Sequence, residues 1–503
     1  MRWTCLCLAV TVLEICLALH ETQGARAPAK AASRGTSQGV PQDLPRGSSL
    51  TSLVLPSNGK GPFPVVVDIG GVQGVEMLLD RGIAVATAAG GVASDFLRGY
   101  KSANGAVTWL HANAKSVNID PDRIALIGIS KNGNAATGVT VSPGIGTTNF
   151  GEPVQIAPGG QRAATDRVRC AVNLWGTTDL MQTDRLRDST TGGAMDMTIA
   201  AAMSASAINY ISKDDPPVLL LFPFDSGAHG WMSGHRFDAA CRSEGLESTL
   251  LLTGTGNWED LAADFLAVHL QDRRTPTRVH LISGGSAGVA GPTNGWFTVA
   301  RFGALSADLL VRYSLETGAK TACNLLSGSL KIPAGQTTAE IVVQPQAVGA
   351  VSVSLVDDKA YEVGANRQAK IKVLSGDPPG VYAVGTRSYA KAPKGKGLIT
   401  IGRWGSLAKE ITANYTVLGN AVAGTDYQPL PGEVTIPAGA RSVKIEVVPL
   451  RYPSRGQPYK SVAISLDAGG GYDFGPYCGA ACVIITDEGA PSPSDITDPF
   501  EGR

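Results

Sequence analysis

The second half of the chain repeats itself at a spacing of slightly more than one hundred residues. FTVARFGALSADLLVRYSL, which starts at Phe297, matches ITIGRWGSLAKEITANYTV, which starts at Ile399. SLKIPAGQTTAEIVVQP from Ser329 likewise matches EVTIPAGARSVKIEVVP from Glu433. Apolar and polar residues alternate in both copies, which is typical of strands with one buried face. The repeat therefore predicts two consecutive antiparallel β-sandwiches of the immunoglobulin-like kind.

The first half has a different pattern, which changes near Arg274. Short β-branched runs alternate with amphipathic helical stretches, and the runs are PVVVDI, IAVATA, RIALIGI, RCAVNLW and PPVLLLF. Continuous apolar runs separated by helices indicate a parallel sheet that is covered on both faces. The predicted fold class is therefore a doubly wound α/β domain followed by two all-β sandwiches.

The first residues, MRWTCLCLAVTVLEICLALHETQG, have the charge and apolar pattern of a secretory signal peptide, so we expect a secreted, periplasmic or cell-surface protein. Glu14 interrupts an apolar run that is shorter than the roughly 20 residues of a membrane-spanning helix. No later segment is long and apolar enough, and we expect no membrane span in the mature chain. The predicted divisions are a signal peptide at 1–24, a flexible linker at 25–47, the α/β domain at 48–273, sandwiches at 277–378 and 380–489, and a disordered Pro-rich tail at 490–503.

Charge and cysteine content limit the partners and the chemistry. Lys+Arg and Asp+Glu both total 43, so the formal net charge is zero and nucleic acid is not an expected partner. Removal of the signal would leave an odd number of cysteines, so at least one thiol is free or pairs outside the chain. The closest pair, Cys478 and Cys482, is compatible with a disulfide or with two reduced thiols.

A serine follows the third apolar run in ALIGISKNGNAA, residues 125–136. Gly128 and Ser130 fit the first part of a G-x-S-x-G elbow, in which a tight strand-to-helix turn exposes the nucleophile. Asn132 occupies the place of the second glycine and adds a side chain where strand and helix approach closely. Ser130 is therefore either a nucleophile on an altered turn or a simple turn serine.

The segment VNIDPDRIALIGIS resembles the strand that enters the elbow of secreted carboxylesterases in the α/β-hydrolase superfamily, the group with acetyl-xylan-esterase-like and feruloyl-esterase-like members. GPFPVVVDIGG resembles their oxyanion-loop strand, and VRCAVNLWGTTDL resembles the strand with a G-x-x-D turn. The resemblance covers about residues 50–272. It implies a serine esterase that acts on an acylated polysaccharide or a small ester, with Ser130 as nucleophile.

The same resemblance shows departures at the oxyanion loop and at the acid. The H-G-G-G loop of the family corresponds to residues 69–72, so Ile69 stands at the histidine position. Gly70, Gly71 and the backbone N–H of Lys131 are the implied oxyanion donors. An ungapped match places Ser226 at the acid position, and Asp225 lies one residue earlier.

The general base is also replaced, because Asn257 stands where the family has a histidine after the last strand. An amide cannot accept the serine proton at neutral pH, so only residual catalysis would remain. His229 could serve as a substitute base that Asp225 or Asp179 orients, or it could be a plain loop residue. Two functions stay open: weak or absent ester hydrolysis, and a non-catalytic relative that binds or adheres outside the cell.

Residues 420–449, NAVAGTDYQPLPGEVTIPAGARSVKIEVVP, resemble the middle of a Calx-beta domain, and the preceding copy fits the same pattern. In the calcium-binding members of that family the resemblance would place ligands at Asp426 and Asp487, but the set is incomplete and solvated acidic turns are the preferred interpretation, so no metal is expected. No cofactor is expected either. Such domains would act as spacers or as modules for an extracellular protein or surface partner.

Overall fold

The structure is a computed structural model. It describes residues 39–45, 48–72, 74–90, 97–141, 168–182, 202–203, 205–223, 230–253, 258–271, 276–289, 294–316, 322–325, 327–376, 380–453, 459–467, 472 and 479–487. The predicted signal peptide and the predicted tail at 490–503 lie outside these residues. The predicted linker at 25–47 lies partly within them, and its Val40–Pro41 pairs with the following strand, so regular structure begins inside that segment.

The N-terminal region is built on one eight-stranded sheet. Its strands are β1 (Val40–Pro41), β2 (Leu50–Leu55), β3 (Phe63–Ile69), β4 (Ala84–Ala88), β5 (Ile119–Ile129), β6 (Cys170–Leu174), β7 (Val218–Pro223) and β8 (Ser248–Thr253). They lie in the order β1-β2-β4-β3-β5-β6-β7-β8. The last six strands in this spatial order, β4, β3, β5, β6, β7 and β8, run parallel to one another. This α/β-hydrolase-like region agrees with the doubly wound fold predicted from the apolar runs.

Helices cover both faces of this sheet. The central strands are therefore buried on both sides, as in β3, in which every residue is buried. They are α1 (Met77–Asp80), α2 (Leu97–Asn113), α3 (Lys131–Val141), α4 (Gly230–Ser243) and α5 (Trp258–Leu270), with short 3-10 turns at Leu180–Gln182 and Ala207–Tyr210. Helices α2 and α3 pack on one face with the odd-numbered residues of β3, and α1 and α5 pack on the other. The apolar core therefore has two layers separated by the sheet.

The chain reverses its winding at β3, and this reversal positions the site. The connection from β3 leads to β4 on one side, and β5 then pairs with β3 on the other side. The segments that follow β3 and β5 therefore leave toward opposite faces and open a crevice at the carboxyl edge. Ligands of open α/β sheets bind in such crevices, so the loop from Ile69 and the turn at Ser130 lie where a site is expected.

The C-terminal part consists of β-sheets. Its first group contains β9 (Arg278–Ser283), β10 (Ala287–Gly288), β11 (Gly295–Phe302), β12 (Leu309–Leu315), β13 (Gly328–Ile332), β14 (Thr338–Val343), β15 (Gly349–Leu355), β16 (Glu362–Val363) and β17 (Gln368–Leu374). The second contains β18 (Gly380–Arg387), β19 (Tyr389–Lys391), β20 (Gly397–Trp404), β21 (Ile411–Leu418), β22 (Glu433–Ile436), β23 (Ser442–Val447), β24 (Tyr459–Leu466) and β25 (Ala480–Thr486).

The two groups have the same strand order, except that the first has one additional edge strand, β16. The first has sheets β10-β17-β15-β12-β13 and β14-β11-β9-β16, and the second has β19-β25-β24-β21-β22 and β18-β20-β23. Strand registers also correspond, since Phe297 pairs with Ile341 and Ile399 pairs with Ile445. Each pair of sheets shares one apolar core. The sequence repeat thus corresponds to a structural repeat.

Both β-groups pack against the α/β region and are not held only by linkers. Ile282 and Phe302 of the first group join the apolar cluster that contains Phe265 of α5. Asp264 of α5 accepts hydrogen bonds from Arg278 at 3.0 Å and contacts His280 Nε2 at 2.9 Å, both of which belong to β9. The first β-group therefore shares an apolar cluster and polar contacts with the α/β region.

The second β-group covers a different part of the α/β region. Tyr382 and Val384 pack with Phe237 of α4, and Tyr389 packs with Met181 near the end of β6. Tyr389 also donates a hydrogen bond to the side chain of Asn209 at 3.3 Å. The contacts therefore reach the segments next to the carboxyl edge of the sheet. Among the described helices, none has the length and apolar character needed to cross a membrane.

Candidate active site

Ser130 lies on a sharp turn between β5 and α3. Its φ is 55°, a left-handed conformation that non-glycine residues seldom adopt, and its side chain is exposed. Its N–H donates to the carbonyl of Leu174 in β6 at 2.7 Å, and its carbonyl accepts from Asn134 at 3.1 Å. This strained strand-to-helix turn is the geometry that presents a nucleophile at the carboxyl edge.

The elbow accommodates Asn132 because neighbouring glycines leave space for it. Asn132 is only 8 % exposed. A Cβ at Gly70 or Gly90 would lie 2.3 or 2.6 Å from its amide nitrogen, so neither position tolerates a side chain. Gly128 is needed as well, since a Cβ there would meet the backbone of Asn132 at 2.3 Å. The expected alteration of the turn is absorbed by the adjacent loops, and the left-handed conformation of Ser130 remains.

The loop after β3 contains the predicted oxyanion residues. Gly70 and Gly71 have φ of 91° and 80°, so both adopt backbone conformations that favour glycine. Gly70 N–H donates to the carbonyl of Ala88 at 2.9 Å, and Ile69 is the fully buried last residue of β3. Ile69 therefore serves as core packing, and the Gly70 N–H is engaged within the protein. Lys131, the third predicted donor, begins α3 immediately after Ser130.

A buried carboxylate, Asp68, which is not among the predicted site residues, holds the rest of this loop. Asp68 is 2 % exposed and accepts hydrogen bonds from the backbone N–H of Val72, at 2.8 Å, and of Gly71. Burial raises the pKa of Asp68 to about 6, and nearby Glu76 adds to the rise, while the two N–H bonds oppose it. When Asp68 is ionised, the N–H groups of Gly71 and Val72 are therefore bound to it. An aspartate two residues before the paired glycines was the available sequence signal.

The predicted acid and base positions lie outside the described residues, between elements that are described. Asp225, Ser226 and His229 fall between the end of β7 at Pro223 and the start of α4 at Gly230. Asn257 falls between the end of β8 at Thr253 and the start of α5 at Trp258. Their roles stay predictions. His235, the next histidine along the chain, belongs to α4.

Asp179 is committed to a structural ion pair. It follows β6, is 2 % exposed, and accepts a hydrogen bond from Arg236 Nε of α4 at 2.7 Å. Its other oxygen accepts from the N–H of Met181 at 3.0 Å. Arg236, only 1 % exposed, also donates to the carbonyl of Gly385 in β18. Both Asp179 oxygens are thus used to join α4, the turn after β6 and the second β-group, which argues against a role in orienting His229.

Trp175 is the residue next to the elbow on the neighbouring strand. Ile129 pairs with Leu174 at the ends of β5 and β6, so Ser130 and Trp175 are the next residues on each strand. Trp175 has φ of 59°, which is an outlier for a bulky side chain. Its indole Nε1 is buried and has no hydrogen-bond partner in the described part of the chain. Sequence reasoning had no signal for either property.

The two calcium candidates have different surroundings. Asp426 is 3 % exposed, and its oxygens accept from the N–H of Val422 and from Arg451, both at 2.8 Å. Lys460 lies 3.4 Å away. Burial acts to raise the pKa of Asp426, but these donors together hold it below the usual value. Asp487 is exposed after β25. Within the described ranges, no three His, Cys, Asp or Glu side chains form a group that could hold a metal ion.

We expect calcium to leave the stability of the protein unchanged, because Asp426 already has two cationic neighbours. Thermal unfolding in millimolar calcium and in excess chelator should give melting temperatures within about 1 °C, whereas a ligand at a hundred times its Kd stabilises by about 2.7 kcal/mol. A rise of several degrees that Asp426→Asn abolishes would contradict this expectation.

Comparisons with known proteins give one family match and several distant structural similarities. The BD-FAE family model matches residues 52–223, which is less than half of the chain. The matched segment includes Gly70, Ser130 and Trp175 and ends with β7. No curated protein matches the sequence. The family match and the sheet together indicate an α/β-hydrolase-like region at the N-terminal side of the chain.

Among solved structures, the chain is similar to a truncated carbohydrate esterase from gut microbiota, with 15 % identity, a TM-score of 0.37, and coverage of 48 % of this chain and 98 % of the other. It is also similar to a bifunctional GH43-CE protein of Bacteroides eggerthii, with 21 % identity, a TM-score of 0.37, and coverage of 44 % and 36 %. A third is an acetyl ester-xyloside bifunctional hydrolase from Caldicellulosiruptor lactoaceticus, with 18 % identity, a TM-score of 0.30, and coverage of 41 % and 78 %. Similarities this distant assign no activity.

Proposed function

We propose that the α/β region is a serine-dependent carboxylic ester hydrolase with a slow turnover, acting on an acylated polysaccharide or a small ester. The observation that carries the proposal is the elbow. Ser130 is exposed at the carboxyl edge in a left-handed conformation between β5 and α3. Strained residues of this kind cluster at functional sites. The match of residues 52–223 to the BD-FAE family supports the same assignment.

The reaction begins with attack of Ser130 Oγ on the ester carbonyl carbon. A C–O bond forms to Ser130, the alcohol leaves with a proton, and water then releases the acid and restores the serine. The start of α3, with the N–H of Lys131, supplies positive potential near the developing oxyanion. With Asn257 at the base position, the serine proton passes to water or to a substitute base such as His229. The turnover is slow because most of the rate of a complete triad is lost when one member is replaced.

Hydrolysis of an aryl acetate by the purified full-length protein tests this proposal. We expect Ser130→Ala to reduce the rate to the buffer background, because the attacking oxygen is removed. A second variant, His229→Ala, reports whether that histidine acts as the base. The matched control is Ser52→Ala. Ser52 lies on β2, and its hydroxyl makes an exposed hydrogen bond to the side chain of Thr87 on β4. Equal rates for the wild type and Ser130→Ala would refute the esterase assignment.

A second function, binding without catalysis, is favoured by the loop after β3. Asp68 binds the N–H groups of Gly71 and Val72, which a working oxyanion loop would offer to the substrate. Together with Asn257 at the base position, this arrangement suits a pocket that retains a ligand without turning it over. Calorimetry with an acetylated xylo-oligosaccharide distinguishes the two functions, because a binder gives a heat signal in the absence of hydrolysis.

The remaining assignments are also proposals. Export rests on the first 24 residues, and the Calx-beta type of the two β-groups rests on segments such as GTDY and IPAG. The packing of both groups on the α/β region favours a structural role for them. An extracellular protein or surface partner would then meet their outer faces.

A further inference from the structure

Trp175 combines two unfavourable features at one position. A bulky residue at φ of 59° costs backbone strain, and a buried N–H without a partner costs desolvation. More than nine in ten buried polar groups in proteins are hydrogen-bonded, so an orphan donor calls for an explanation. Both features occur beside Ser130, in a residue that the reaction outlined above does not use.

The indole of Trp175 lies across the carboxyl edge of the sheet. It packs against the cluster that contains Leu221 and α5 on one face and against the cluster that contains Phe222 and α4 on the other. Trp175 therefore contacts both apolar layers. The backbone N–H of Trp175 donates a hydrogen bond to the carbonyl of Leu221 at 2.9 Å, which fixes the backbone of Trp175 against β7.

Four backbone donors at this edge are already used by the protein. The backbone N–H groups of Gly70, Gly71 and Val72 bind Ala88 and Asp68, and the N–H of Ser130 binds Leu174. The indole N–H of Trp175 differs from them, because it has no acceptor in the described part of the chain. An acceptor atom brought by a ligand would satisfy it.

We propose that the indole N–H of Trp175 is a substrate-binding donor that takes an oxygen of the ester bound at Ser130. The proposal rests on the proposed esterase function and specifies its substrate contact. The oxygen is either one of the acyl group or a hydroxyl of the carbohydrate, and the two share the same acceptor chemistry. The neutral oxygens of an acetylated sugar are suitable acceptors for this donor, so the contact fits the substrate class proposed above.

Trp175→Phe tests this contact, because it removes the N–H and keeps an aromatic ring. We expect kcat/KM for ester hydrolysis to fall about tenfold, the effect of one lost hydrogen bond in a desolvated site. A loss for aryl acetate and for acetylated xylo-oligosaccharide identifies an acyl oxygen, and a loss for the oligosaccharide alone identifies a sugar hydroxyl. Trp109→Phe, a half-buried tryptophan on α2 away from the edge, is the matched control and should leave kcat/KM unchanged.

Binding by calorimetry in the Ser130→Ala background separates this proposal from the esterase assignment. We expect the Kd for the acetylated oligosaccharide to rise about tenfold with Trp175→Phe, while the melting temperature falls no more than in Trp109→Phe. If the parent binds but neither protein hydrolyses esters, the esterase function fails and the contact is still decided by this Kd. Equal Kd values, or no binding by the parent, would overturn the contact itself.

Discussion

Replacing Asn257 by histidine is expected to raise the ester hydrolysis rate by about 10²–10⁴-fold, the usual contribution of a general base. The position lies in the four-residue connection between β8 and α5, where the resemblance to carboxylesterases places the base. An imidazole there can accept the proton of Ser130, which an amide cannot do. Aryl acetate hydrolysis by the full-length variant measures the gain.

Two further variants make this gain specific. Asn257→Ala removes the amide without adding a base, so its rate should stay at the wild-type level. The double variant with Ser130→Ala should lose the gain, because the new histidine has no hydroxyl to activate. Adding Ser226→Asp to Asn257→His should raise the rate further, since a carboxylate fixes the tautomer of the histidine. If Asn257→His and Asn257→Ala hydrolyse the ester at the same rate, position 257 is not the base position.

Asp179→Ala is expected to lower the free energy of unfolding by about 3–5 kcal/mol, the cost of leaving one member of a buried ion pair without its partner. Arg236 would remain 1 % exposed between α4 and β18 with its charge uncompensated. Urea unfolding of the full chain measures the loss. Unfolding should begin where the second β-group meets the α/β region, so the fluorescence of nearby Trp404 should report the change.

The matched control is Glu446→Ala, which breaks the exposed pair with Lys396 and should cost less than about 1 kcal/mol. Replacing both buried partners, as in Asp179→Leu with Arg236→Met, should recover much of the lost stability, because no unpaired charge remains. A change in Asp179→Ala no larger than in the control would show that the pair is not needed. Ser130-dependent hydrolysis should persist at temperatures where Asp179→Ala stays folded.

Local patterns were enough to predict the strands, the repeat and the elbow. Five apolar runs correspond to β3 to β7, and the matches from Phe297 and Ile399 correspond to β11 and β20. Ser130 was found because a nucleophile turn has a short sequence signature. The consequence of Asn132 was not predictable, since the space that accepts it is provided by Gly70 and Gly90, which are distant in sequence.

The sequence by itself determined the doubly wound sheet, the two β-copies and the position of Ser130, because periodicity, turn residues and short motifs act over neighbouring residues. The tertiary structure decided what surrounds that serine: Asp68 on the loop N–H groups, Trp175 with its unpartnered indole, and Asp179 paired with Arg236. It also decided that the β-groups pack on the α/β region. These features depend on contacts between residues far apart in the chain, where burial fixes which polar groups must find partners.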